Sequence, residues 1–128
     1  MDLISSLLRT FHLNSSVFEH ARFCGQWSLD TTGTGQAGFH LVADGQCWLH
    51  RPGGVEPTPL RAGDLLILPR DSAHQLSDAA ATPPGQPPDV RPLGDRSAAG
   101  TDIVCGYFRF DDGVANPLLD ALPDYLVI

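Results

Sequence analysis

The chain has 128 residues, enough for one hydrophobic core and not for two. Its 42% apolar content excludes wholesale disorder, and no apolar run reaches the roughly 18 residues that span a bilayer. Every basic residue is an arginine and the net charge is −7, which argues against direct nucleic-acid binding by this chain.

Asp2 can cap a short helix in which Leu3, Ile4, Leu7, Leu8 and Phe11 recur at helical spacing. From Val17 the pattern changes to strands, predicted over residues 17–29, 38–43, 46–50, 65–68 and 103–110, with a further short one at 58–60. Asp44-Gly45 is a hairpin signal between the second and third of these, and Arg51-Pro52-Gly53-Gly54 marks another turn. The run 65–68 is apolar on both parities, as an internal strand would be. Gly63-Asp64 opens it and Pro69, which cannot donate to a central ladder, closes it. Residues 79–100 hold Pro83, Pro84, Pro87, Pro88 and Pro92 and read as a flexible excursion between two strands. Asn116-Pro117 opens a second short helix that Pro123 ends. The apolar run Tyr125-Leu126-Val127-Ile128 calls for tight docking or a continuation of the chain. Many short strands among thirteen glycines and eleven prolines predict an all-β fold, a small antiparallel β-barrel or jelly roll with short terminal helices, as one domain over residues 1–128.

The start Met1-Asp2-Leu3-Ile4 lacks the basic region of a secretory signal. Three cysteines, an odd number, make no disulfide framework, and both features fit a cytoplasmic protein.

The spacing Gly63-x5-Pro69-x4-His74-x3-Asp78 resembles the second conserved motif of the cupin superfamily, whose histidine commonly binds a metal. That motif usually has a glycine where Asp71 stands and an asparagine where Asp78 stands. Further segments are similar to the ligand-binding cupin domain of AraC-type transcription regulators. They are Phe23-Cys24-Gly25-Gln26-Trp27-Ser28-Leu29, Phe39-His40-Leu41-Val42 leading to Gly45-Gln46-Cys47-Trp48-Leu49, and Cys105-Gly106-Tyr107-Phe108-Arg109-Phe110 with Asn116-Pro117-Leu118-Leu119. The resemblance implies a cupin barrel and a sensing role.

His74 stands in the motif position, where a neutral imidazole could bind a divalent metal; the plainer reading is a loop histidine bonded to backbone. His40 lies two residues beyond Gly38, which holds the place of the first-motif glutamate of ordinary cupins, so it shares that residue's side of the strand. A satisfied core histidine is the alternative. Cys24 and Cys105 both precede glycine and share strand parity with polar neighbours. With His40 and His74 they would complete a tetrahedral set, zinc favoured, or form a redox pair; otherwise both are small buried hydrophobes. Trp27, Trp48 and Tyr107 are candidates to line a ligand pocket, although strand tryptophans are more often core. Cys47 reads as core, and His12, His20 and His50 have no constellation around them.

No nucleophile elbow, phosphate-cradling loop or paired carboxylates appear. The expected function is non-enzymatic: an effector-sensing domain that takes a small molecule, a metal ion or an oxidant, with a homodimer as its assembly, no membrane role, and DNA binding left to a domain outside this chain. The alternative is a small metal-dependent cupin enzyme such as a dioxygenase or isomerase.

Overall fold

The computed structural model describes residues 13–81, 89–110 and 121–128, and these form ten strands in two antiparallel sheets. The strands are β1 (Leu13–Cys24), β2 (Ser28–Leu29), β3 (Gly38–Asp44), β4 (Gln46–His50), β5 (Thr58–Arg61), β6 (Leu65–Leu68), β7 (Gln75–Ser77), β8 (Asp89–Arg91), β9 (Gly100–Phe110) and β10 (Leu126–Val127). One sheet runs β10-β6-β3-β9-β1-β8 and the other β2-β7-β4-β5. The jelly-roll expectation holds in this form: two sheets face a shared core and are not joined into a closed ladder. The expected N-terminal helix, and the start of the one expected from Asn116, fall outside the described residues.

β6 is internal, paired with β3 on one side and β10 on the other, and Leu66, Ile67 and Leu68 are buried. The closing run docks as β10, with Leu65 and Ile128 exchanging both backbone hydrogen bonds at 3.0 and 2.9 Å.

Three expectations are corrected. The run 17–29 is not one strand: Gly25, at φ 76°, turns the chain so that β1 pairs with β9 and β2 with β7 in the other sheet. Asp44-Gly45 does not form a hairpin, because β3 and β4 belong to different sheets. Gly45 alone separates them and at φ 79° carries the chain around the corner, where a Cβ would stand 2.7 Å from the Gly100 carbonyl oxygen. The second half of the proline-rich excursion is not free chain. It forms β8 against β1 and then a turn tied down by charge.

The register sorts the residues of β1, β3 and β9 between two faces. Ala21, Phe23, His40, Val42, Ile103 and Cys105 point inward, where Phe23, Trp27, Leu49, Leu60, Leu66 and Leu76 are at most 1% exposed. Each such large side chain contributes about 1.5–3 kcal/mol by leaving water. Arg22, Cys24, Asp44 and Asp102 fall on the outer face.

Candidate functional site

His40 and Cys105 are direct register partners on adjacent strands, so their side chains meet inside the core, at 2% and 0% exposure. Cys105 Sγ lies 2.7 Å from His40 Nδ1, and His40 Nε2 lies 3.2 Å from His74 Nε2. His74 arrives from the loop between β6 and β7, and its Nδ1 is 2.9 Å from the Ser72 carbonyl oxygen. Thr31, on the loop after β2, places Oγ1 3.1 Å from His40 Nε2 and 3.0 Å from His74 Nε2. Thr32 holds His74 from the other side, accepting its backbone N–H at 3.1 Å.

The partners fix one neutral hydrogen-bond order. A carbonyl only accepts, so His74 Nδ1 carries the proton and its Nε2 accepts from His40 Nε2–H and Thr31. His40 Nδ1 then accepts from the Cys105 thiol. Burial, followed by the neighbouring His74, lowers the His40 pKa to about 3, so the ring is uncharged. Burial, then negative charge at Glu19 and Cys47, pushes the Cys105 thiol well above its ordinary range. The result is a directional chain, Cys105 to His40 to His74 to Ser72, that runs through the uncharged His40 ring.

His40 and His74 sit between two openings. A crevice of about 10 Å³, room for one water, is lined by Phe18, Thr31, Gly38, His40, His74 and Tyr107 among others. Tyr107 stacks on Phe18 there, ring centroids 4.6 Å apart. On the other side of His74 lies a cleft of about 270 Å³ between the loop after β4 and the loop before β7.

The four-residue set expected from the sequence does not assemble. Cys24 is the register partner of Gly100 and Asp89, on the outer face of the wall whose inner face carries Cys105. The physical reason is parity: position 105 lies five positions beyond position 100 in β9, and an odd offset reverses the face. A Cys24–Cys105 disulfide is excluded for the same reason. Nor do Cys105, His40 and His74 point at one centre. Cys105 and His74 occupy opposite ring nitrogens of His40, so no point is within zinc-bonding distance of all three. Among the described residues no group of three or more His, Cys, Asp or Glu side chains could hold a metal ion. Of the expected pocket residues, Tyr107 lines the crevice. Trp27 is core instead, tilted against Phe23 at 5.3 Å. Trp48 alternates with buried Cys47 and Leu49 and so faces away from the core. Cys47 is core as expected, and burial raises its thiol pKa to about 12.

Sequence reasoning missed the clasps. Asp71, in the usual glycine's place, keeps the left-handed backbone at φ 55°, which aspartate tolerates better than most residues. Its Oδ2 also accepts the backbone N–H groups of Gly33 and Gly35 at 2.9 and 2.8 Å, pinning the 31–36 loop that carries Thr31. Asp78, in the asparagine's place, accepts Trp27 N–H at 2.9 Å and fixes the turn between β1 and β2. The departures from the motif were the signal, since Asp71 adds an acceptor where the motif has a glycine and Asp78 puts a carboxylate acceptor where it has an amide.

A family model described as cupin matches residues 2–128. The chain belongs to the cupin family. The HTH-type transcriptional regulator MtrA of Neisseria gonorrhoeae is 28% identical over 131 residues, covering 97% of this chain and 43% of that protein. An uncharacterized HTH-type transcriptional regulator of Haemophilus influenzae is 23% identical over 138 residues, covering 100% of this chain and 45% of that protein. The chain thus spans less than half the length of these curated relatives, and the resemblance to regulator cupins is borne out. No solved structure matches the chain. Among the described residues no helix is long and apolar enough to cross a membrane.

Proposed function

We propose that this cupin is the effector-sensing domain of an AraC-type transcription regulator in the cytoplasm, not an enzyme, and that it binds a small molecule at the end of the fold where His74 stands. The observation that carries this reading is the neutral chain from Cys105 through His40 to His74, which links a buried strand pair to the wall of an open cleft. A ligand that hydrogen-bonds at His74 would compete for its donors and acceptors and so bias the β3–β9 pair and the 31–36 loop; differential contacts of that kind are what a two-state sensor needs. An oxidant is a poorer effector, because a buried thiol with a raised pKa lacks the thiolate character of a redox sensor. Metal sensing is also weaker: two imidazole nitrogens and the Thr31 hydroxyl fall short of the three-residue His, Cys or carboxylate set of a catalytic zinc.

The test is a thermal-shift screen of small molecules and of zinc and iron(II) salts against the chain and its His74→Gln variant. A compound that raises the wild-type midpoint, and does so markedly less in the variant, supports the reading. Stabilisation by metal alone, accompanied by oxygen consumption or turnover of a co-substrate, would replace it with the enzyme alternative.

A further inference from the structure

The cleft beside His74 is lined by Asp30, His50, Arg51, Pro52, Ala73, His74 and Gln75, and its two opposite charges are not paired with each other. Among the described arginines, Arg22, Arg70, Arg91 and Arg96 meet aspartates, whereas Arg51 and the exposed Arg61 show no such ion pair. Arg51 is half-buried, and its Nε is fully buried with no hydrogen-bond partner among the described residues. Its guanidinium lies over the ring face of Tyr125, 5.2 Å from Cζ to the centroid, while the Tyr125 hydroxyl donates to the Ala73 carbonyl in the cleft wall. Arg51 lines the cleft, and a guanidinium carries five N–H donors in a fixed fork, so N–H groups beside the buried Nε are available to what fills the cleft. Stacking on an aromatic face also pre-orients the guanidinium plane, which suits a bidentate carboxylate. Asp30 offers the opposite pole: one of its oxygens accepts Thr32 N–H at 2.8 Å, and no arginine or histidine neutralises it among the described residues. Pro52 and Ala73 supply apolar lining, and Gln75 is a further polar residue of the wall.

We propose that this cleft binds a small organic carboxylate with an ammonium group at its far end, Arg51 holding the carboxylate and Asp30 facing the ammonium. The inference rests on the sensing reading and gives its effector a chemical class. The volume of about 270 Å³ corresponds to roughly nine waters at about 30 Å³ each, hence to a ligand of about nine non-hydrogen atoms. Such a ligand would lie against His74 and so reach the end of the neutral chain.

The probes are 6-aminohexanoate, hexanoate and hexylamine, added to the full chain while the Arg51 Nε–H resonance and the thermal midpoint are followed. The expected order is 6-aminohexanoate above hexanoate, with hexylamine without effect on Arg51. Arg51→Gln weakens the two acids at least about tenfold, the scale of a lost charge-assisted hydrogen bond. Asp30→Asn removes the preference for 6-aminohexanoate over hexanoate and leaves hexanoate binding intact. Neither residue is in the core, so both variants keep the wild-type fold, which their spectra check directly. Equal binding by hexylamine, saturation that survives Arg51→Gln, or no response to either acid overturns the proposal. A neutral compound that needs His74 and stabilises Arg51→Gln as much as wild type would leave the sensing reading standing and overturn this one.

Discussion

On the inner face of β9, Cys105 meets His40 through a thiol–imidazole hydrogen bond; three positions earlier, on the outer face, Asp102 meets Arg22 at 3.2 Å. Arg22 also reaches Asp44 at 3.3 Å and donates its Nε–H to the Ala98 carbonyl, while Arg96 closes onto Asp44 and lies 3.9 Å from Asp102. Burial by itself would lower the Arg22 pKa, but hydrogen bonds and charge from Asp102 and Asp44 outweigh it and raise it. Asp44 is held low, first by its hydrogen bond from Arg96 and then by Arg22. The same three strands therefore carry a neutral polar chain inside and a fully ionised cluster outside. Neutral groups suit the core because a lone buried charge has no solvation, whereas two arginines and two carboxylates compensate one another under a thin cover of loop. The outer cluster pins residues 95–98 to the wall; the inner chain leads to the cleft.

The largest expected effect comes from breaking the outer cluster on one side only. Asp102→Ala leaves Arg22 buried with a depleted set of acceptors and should destabilise the fold by about 3 kcal/mol in urea denaturation. A cost near zero would show that the outer cluster is decoration.

Acid should act on the inner chain. Since the His40 pKa falls to about 3 in the folded chain, the unfolded chain binds more protons below about pH 6.5, and stability drops as pH falls through that window. Between about pH 6.5 and pH 5 the loss from His40 is about 2 kcal/mol, and His40→Gln flattens that slope. The raised thiols of Cys105 and Cys47 add a second limb: their contribution is complete below the unfolded thiol pKa of about 8.5 and is lost as pH rises beyond it. A profile with no acid limb would mean that His40 is not held neutral.

The two cysteines offer a matched pair. Cys105→Ala removes the donor to His40 Nδ1 and should cost about 2 kcal/mol, while Cys105→Ser, which keeps a donor, should recover part of that. Cys24→Ala on the outer face should cost less than Cys105→Ala, because among the described residues no hydrogen bond depends on it and packing such as that against Gly100 is what is lost. Equal costs would erase the distinction between the faces.

The smallest effect sharpens the clasp over the inner chain. Asp71→Gly keeps the left-handed backbone and loses the two hydrogen bonds accepted by Oδ2, whereas Asp71→Ala also keeps a Cβ at φ 55° without them and should be worse by about 1 kcal/mol. Reversed order in denaturant midpoints would show that φ is not what the aspartate preserves.

Much of the architecture was legible because it rests on local pattern. The run 65–68, apolar on both parities between Gly63 and Pro69, could only be an internal strand, and β6 is one. The short strand expected at 58–60 forms as residues 58–61, and across the turn marked by Gly53 and Gly54 it pairs with residues 46–50. The inner chain was partly legible too: His40 and His74 were singled out and lie 3.2 Å apart. Cys24 was placed wrongly because polar neighbours at the same parity do not say which face is the inner one. That depends on which strand lies opposite, and two turns, at Gly25 and Gly45, sent β2 and β4 to a sheet that no local pattern names.

The sequence by itself determined an all-β cupin with an internal strand ending at a motif histidine, because strand periodicity, turn glycines and proline act within a few residues of chain. Only the tertiary structure decided that Cys105, His40, His74 and Thr31 form one neutral chain, that Asp71 and Asp78 clasp the loops around it, and that Arg51 stands without a carboxylate partner among the described residues. Those contacts join residues as many as 65 positions apart, and register between strands, which the chain sets only when it folds, chooses them.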